Sequence, residues 1–184
     1  MNYPLAYLIT FTTYGTWLHG DKRGSVDENH NKYGDDYLPE NKSFKQQDNK
    51  LLKDEIVVLD VKGREIVLEA ILSQCGFRNW FAHSVHVRSN HIHIVISSVE
   101  KPEKIMSVLK AYSTRALRAS GVLRTKFWTK HGSTKYLWTK EKLDAAIKYV
   151  KDGQGKIMAY GYSEITEPGA KATGETLPAL SLGL

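Results

Sequence analysis

His91-Ile-His-Ile-Val-Ile-Ser-Ser98 (HIHIVISS) sets two imidazoles among β-branched residues and then runs into an apolar stretch. That composition reads as a β-strand. Residues two apart on a strand share a face, so His91 and His93 point one way. Ile92, Ile94 and Ile96 point the other way, into a core. One face of this strand is therefore chemical and the other structural. Just upstream, Arg88-Ser-Asn90 reads as a turn and Trp80–Val87 as a partner strand.

Working outward, Leu5–Thr13 (LAYLITFTT) is short, apolar and β-branched and reads as a strand inside a sheet. A Gly-punctuated turn follows at Tyr14-Gly-Thr-Trp-Leu-His-Gly20. Residues 21–55 are polar, lack periodicity and read as a surface insertion. Val61–Gln74, with Val61, Ile66, Val67, Ala70 and Ile71, fits an amphipathic helix ending near Gly76. Pro102–Ser120 carries Ile105, Val108, Leu109, Tyr112, Ala116 and Ala119 at helical spacing, and Gly121 ends it. Phe127–Trp138 reads as a strand, bulged near Gly132. Lys140–Lys151 is the last helix, with a stripe of Leu143, Ala146, Ile147 and Val150. The first six core elements run βαββαβ. The pattern predicts an α+β, ferredoxin-like (RRM-like) antiparallel sheet with helices on one face, plus an extra C-terminal helix. Residues 1–163 are expected to form one domain and 164–184, rich in Gly, Pro, Ala and Thr, a mobile tail.

The chain has 184 residues, 41% of them apolar, which suits one globular domain and excludes full disorder. The single cysteine, Cys75, excludes an intramolecular disulfide framework and a thiolate-built zinc site. Any metal must then rely on imidazole and oxygen. No run of about 18 apolar residues suggests a membrane span. MNYPLAYLITF has no basic region before its apolar stretch, so no signal peptide is expected and the cytoplasm is the default location.

The formal charge of +6 is unevenly distributed. Residues 101–160 hold 14 basic and 4 acidic side chains, a net of +10, while the segments on either side are each at −2. The basic segment also carries Tyr112, Phe127, Trp128, Tyr136, Trp138, Tyr149 and Tyr160. Cations for phosphates and rings for bases are what single-stranded nucleic acid requires. A solvated helix face beside core aromatics is the competing explanation.

Two imidazoles on one strand face are close enough to hold one metal ion, with a third ligand still to be supplied. Histidine-triad nucleotide hydrolases would need a third His where Val95 stands. Cupin-type sites would need a Glu where Ser97 and Ser98 stand. The 2H phosphoesterases would need two H-x-S/T motifs, and only His131-Gly-Ser133 approximates one. A metal site paired with a tyrosine nucleophile remains. Such a tyrosine must present its hydroxyl rather than bury it. Tyr112 falls on an apolar stripe and reads as core. Tyr149 lies about 110–120° from the stripe centre of its helix, where a ring can rest on the sheet with its hydroxyl outward. Periodicity alone leaves an ordinary boundary tyrosine equally open.

Taken together and in order, several runs resemble the IS200-type and REP-associated tyrosine transposases, single-tyrosine members of the HUH endonucleases. They are Ile9-Thr-Phe-Thr-Thr-Tyr-Gly-Thr-Trp-Leu18, Asn90-His-Ile-His-Ile-Val95, Leu109-Lys-Ala-Tyr-Ser-Thr-Arg115, Phe127-Trp-Thr-Lys-His-Gly-Ser-Thr-Lys-Tyr136 and Ala145-Ala-Ile-Lys-Tyr-Val150. The resemblance covers most of residues 5–155. It implies His91 and His93 as ligands of Mg²⁺ or Mn²⁺ and Tyr149 as the nucleophile. Some relatives place a metal-binding Gln one helical turn beyond the tyrosine. Here Gln154 is five residues on, about 140° around a continuous helix, and joins the site only if the helix breaks at Gly153. Many relatives follow the tyrosine with Ile-x-x-Asn-Pro and put Pro where Ser89 stands, and the long insertion departs from compact members.

The activity so implied is metal-dependent cleavage and transfer of single-stranded DNA through a 5′-phosphotyrosine, with a DNA hairpin as the recognition element. Arg115, Arg118, Lys130 and Lys135 are candidates for phosphate contacts, and Tyr14 and Trp17 for a hairpin or flanking base. A homodimer is expected, with Tyr149 meeting the histidines of its own chain or of a partner. Two alternatives stay open: a non-catalytic or domesticated nucleic-acid-binding module of the same fold, and a phosphoesterase that uses water.

Overall fold

The structure, a computed structural model, describes residues 3–16 and 54–164. Most of the expected insertion, the expected tail and Trp17 lie outside the described residues. Eight elements follow in chain order: β1 (Ala6–Thr12), α1 (Val61–Phe77), β2 (Phe81–Val87), β3 (His91–Ser97), α2 (Pro102–Ala119), β4 (Ser133–Leu137), α3 (Lys140–Asp152) and β5 (Ala159–Gly161). All neighbours in the sheet are antiparallel, in the order β4-β1-β3-β2-β5. The first four positions are those of a ferredoxin-like sheet.

The alternation read from HIHIVISS divides the sheet into two faces. Ile92, Ile94 and Ile96, with Ile9, Phe11 and Val85, are fully or almost fully buried beneath α1 and α2. Each such aliphatic side chain contributes roughly 1.5–3 kcal/mol by leaving water. The opposite face carries a smaller cluster of Ala6, Val95 and Leu137, covered by Ala146 and Val150 of α3. The extra C-terminal helix therefore packs on the face of the two histidines, and α1 and α2 pack on the other.

Local signals set the helix ends. Asp60 caps α1, its Oδ1 accepting from the Gly63 N–H at 2.7 Å. Pro102 opens α2, where its missing N–H costs nothing. Thr139 caps α3 and Gly153 ends it.

Four details differ from the sequence reading. The face of α2 is turned: Met106, Ser113 and Leu117 are buried with Ile105 and Leu109, whereas Tyr112 is half-buried beneath Arg115, 4.6 Å from its ring. In α1 the buried set is Gly63, Val67, Ile71, Gln74 and Cys75, and Val61 is exposed. The strand expected over Phe127–Trp138 is confined to Ser133–Leu137, with one bridge from Thr13 to Trp128. The intervening carbonyls are taken by a side chain instead, since the Lys110 ammonium donates to those of Thr129, Lys130 and His131 at 2.9, 3.4 and 3.1 Å. Burial pulls the pKa of that lysine down to about 8. Finally, β5 adds a short strand that the polar run after α3 did not announce.

Candidate active site

One row of side chains crosses the α3 face of the sheet: Ser133, Thr10, His93, His86 and Tyr160, from β4, β1, β3, β2 and β5. Directly opposite residues in neighbouring strands are side-chain neighbours, so the register alone surrounds His93 with Thr10 and His86. His91 lies one step along the same face, opposite Thr12.

The two imidazoles meet at 4.8 Å between ring centroids. Each has its Nδ1 engaged. His91 Nδ1 lies 2.7 Å from Asn90 Oδ1, and His93 Nδ1 lies 2.7 Å from Thr10 Oγ1. An Nδ1 partner fixes ring orientation and makes Nε2 the nitrogen that would ligate a metal. Burial is the main cause that pushes the His93 pKa down to about 3, reinforced by the adjacent His91 and opposed by a hydrogen bond that the ring donates to the Gln154 side chain. His93 is only 6% exposed and is therefore a neutral ring at ordinary pH. Neutral imidazole is the form a metal needs.

Tyr149, on α3, brings its ring against His93 with centroids 5.5 Å apart and planes at 71°. It is 46% exposed, while the next residue, Val150, is fully buried. The side chain thus sits at the edge of the stripe, as the helical spacing suggested. The helix stops immediately beyond. The Gly153 N–H bonds to the Tyr149 carbonyl at 2.9 Å, and Gln154 Nε2 reaches the same carbonyl at 3.4 Å. The break at Gly153 removes Gln154 from the continuous-helix direction and returns its side chain to the His93 ring. A Cβ built on Gly153 would stand 2.7 Å from the Tyr149 carbonyl and 3.0 Å from its ring, so this turn has no room for a side chain.

His91, His93, Tyr149 and Gln154 therefore share one site within one chain. Among the described residues no group of three or more His, Cys, Asp or Glu could hold a metal. The nitrogen and oxygen donors gathered here are two imidazoles and the Gln154 side-chain amide, with no accessible thiolate beside them. Cys75 is buried in α1, and burial raises its pKa to about 12.

The expected DNA contacts are spread more widely. Lys135 shares the site face, paired with Leu8, and Lys130 is exposed in the loop before β4. Arg115 and Arg118 lie on α2, across the sheet. Arg118 also donates to the carbonyls of Arg124 and Thr125 at 3.0 and 3.3 Å and lies over the Phe127 ring. Tyr14 is half-buried against the main core, with the Lys126 ammonium 5.3 Å from its ring.

Three residues of the site were not singled out from sequence: Thr10, Asn90 and His86. Thr10 and His86 were detectable as polar side chains within otherwise apolar strands, a pattern that asks for a partner on the same face. The cross-strand register that supplies the partner was not.

No helix among the described residues is long and apolar enough to cross a membrane. The family model described as transposase IS200 like matches residues 51–152, which include both histidines and Tyr149. No curated protein matches the chain. Among solved structures, a REP-associated tyrosine transposase bound to a REP hairpin is similar at 9% identity and a TM-score of 0.47, over 80% of this chain. This chain spans 65% of the length of that one. With more than half of its residues covered by the family model, the chain belongs to the IS200-like transposases.

Proposed function

We propose that the protein cuts and rejoins single-stranded DNA through a covalent link to Tyr149, at a site recognised next to a DNA hairpin. The observation that carries this reading is the contact of an exposed tyrosine ring with a buried, neutral histidine that is itself paired with a second histidine. The Tyr149 hydroxyl attacks the phosphorus. A phenolic O–P bond forms and the bond from phosphorus to the 3′ oxygen breaks. The phenol proton passes to solvent, and the departing 3′ oxygen takes up a proton. The product is a 5′-phosphotyrosine and a free 3′-hydroxyl. The link conserves the phosphodiester, so attack by a second 3′-hydroxyl rejoins a strand without a nucleotide cofactor.

His91, His93 and Gln154 are the residues that would hold a divalent cation, Mg²⁺ or Mn²⁺. When bound, such an ion offsets charge on the non-bridging phosphate oxygens. Thr10 and Asn90 orient the two imidazoles. Imidazole matches Mn²⁺ better than Mg²⁺, so Mn²⁺ should support activity at least as well. Lys130 and Lys135 are suited to phosphate contacts beside the site.

The test uses the full chain, Mn²⁺ and single-stranded oligonucleotides with a hairpin and a 5′ or 3′ flank. An SDS-resistant protein–DNA adduct is expected, absent in Tyr149→Phe and in the double variant His91→Ala with His93→Ala. Cleavage that survives Tyr149→Phe would mean that water is the nucleophile. Binding that is indifferent to chelator, with no covalent product, would make the protein a binding module.

A further inference from the structure

His86 is fully buried in β2, directly opposite His93, and takes no part in the ligand set above. Its Nε2 lies 3.1 Å from the Met158 N–H and its Nδ1 lies 3.0 Å from the Val150 carbonyl oxygen. A main-chain N–H can only donate, so Nε2 is the acceptor. The ring proton is then on Nδ1 and is donated to Val150. One neutral ring thus holds both ends of the segment from Val150 to Met158. That segment contains Gly153 and Gln154 and begins next to Tyr149. The Val150 carbonyl is in the last turn of α3, where carbonyls lose their helical partners. The ring supplies the missing donor from the sheet, at the row that carries His93.

We propose that His86 is a positioning residue for the strand-transfer reaction. It pins the last turn of α3 and the return of the chain to β5, so that Tyr149 and Gln154 converge on His93. The inference rests on the phosphotyrosine reading. A displacement of about 1 Å at a reacting group costs up to 100-fold in rate, which a two-point clamp of this kind prevents.

The experiment compares wild type, Tyr149→Phe, His86→Leu and His86→Asn on a hairpin oligonucleotide with Mn²⁺. The readouts are the rate of adduct formation at saturating DNA, the Kd for the oligonucleotide and the thermal transition. Asn retains one polar reach toward Val150 but is too short for Met158. Both His86 variants are expected to form adduct about 10-fold or more slowly, with Kd changed less than about two-fold. A folded His86 variant with the wild-type rate overturns the proposal. So does a rate that falls only in step with DNA binding, which is the mark of a general structural role. If His86→Leu does not fold, His86→Asn decides. Wild type that forms no adduct at all overturns the phosphotyrosine reading itself, a result distinct from either of these.

Discussion

The rings of His93 and Tyr149 meet edge to face, 5.5 Å between centroids, although they come from a central strand and from a helix fifty-six positions downstream. The tyrosine ring packs against a histidine whose pKa burial pushes down to about 3. Tyr149→Phe keeps the ring and Tyr149→Ala removes it. Imidazole titration by NMR on metal-free protein should therefore find His93 still depressed in Tyr149→Phe and raised by about one unit or more in Tyr149→Ala. Equal values in the two variants would show that the phenol ring does not shield His93.

Thr10→Val removes the 2.7 Å partner of His93 Nδ1 at nearly constant volume. Loss of such a supporting hydrogen bond typically costs about 10–100-fold in metal affinity. Mn²⁺ titration by calorimetry should show a loss of that order with the thermal transition little changed. Unaltered affinity would remove Thr10 from the site.

Gly153→Ala places a Cβ 2.7 Å from the Tyr149 carbonyl and 3.0 Å from its ring. The last turn of α3 must then shift or unwind, at a cost of roughly 1–3 kcal/mol for overpacking of this kind. Adduct formation should slow by about 10-fold or more while hairpin binding persists. An alanine variant with wild-type kinetics would mean that the turn is set elsewhere.

The pH dependence follows from the buried imidazoles. Burial lowers the pKa of His93 to about 3, and lowers those of His83 and His86 as well. The unfolded rings titrate near 6.5, so between about 6.5 and 3 the unfolded chain binds more protons than the native one. Their neutral packing contributes in full above about pH 6.5, and that contribution is lost as the pH falls. Scanning calorimetry with chelator present should show the melting temperature dropping by about 5 °C or more from pH 7.5 to pH 5. A flat profile across that interval would argue against neutral, buried rings at His86 and His93.

Sequence pattern made the sheet legible where one face was strongly committed. HIHIVISS alternates because Ile92, Ile94 and Ile96 enter the core, and that alternation by itself puts His91 and His93 on one face. The helical spacing around Val150 likewise placed Tyr149 at the edge of α3. The α2 stripe that the spacing predicts is a step off, since Ser113 is buried and Tyr112 is not, and side-chain type alone does not reveal how a helix is rolled on its sheet. The β-prone composition of Phe127–Trp138 predicts one strand, but Lys110 of α2 competes for its backbone carbonyls.

The sequence by itself determined the periodicities, the order βαββαβ, the facing pair of histidines and the single tyrosine at a helix edge. Those are local properties, fixed by the two-residue and 3.6-residue repeats of the backbone. Only the tertiary structure decided that α3 covers the histidine face, that the chain turns at Gly153 to bring Gln154 to His93, and that Thr10 and His86 flank that ring. Each of these depends on strand register and on packing between residues far apart in the chain, which no local repeat encodes.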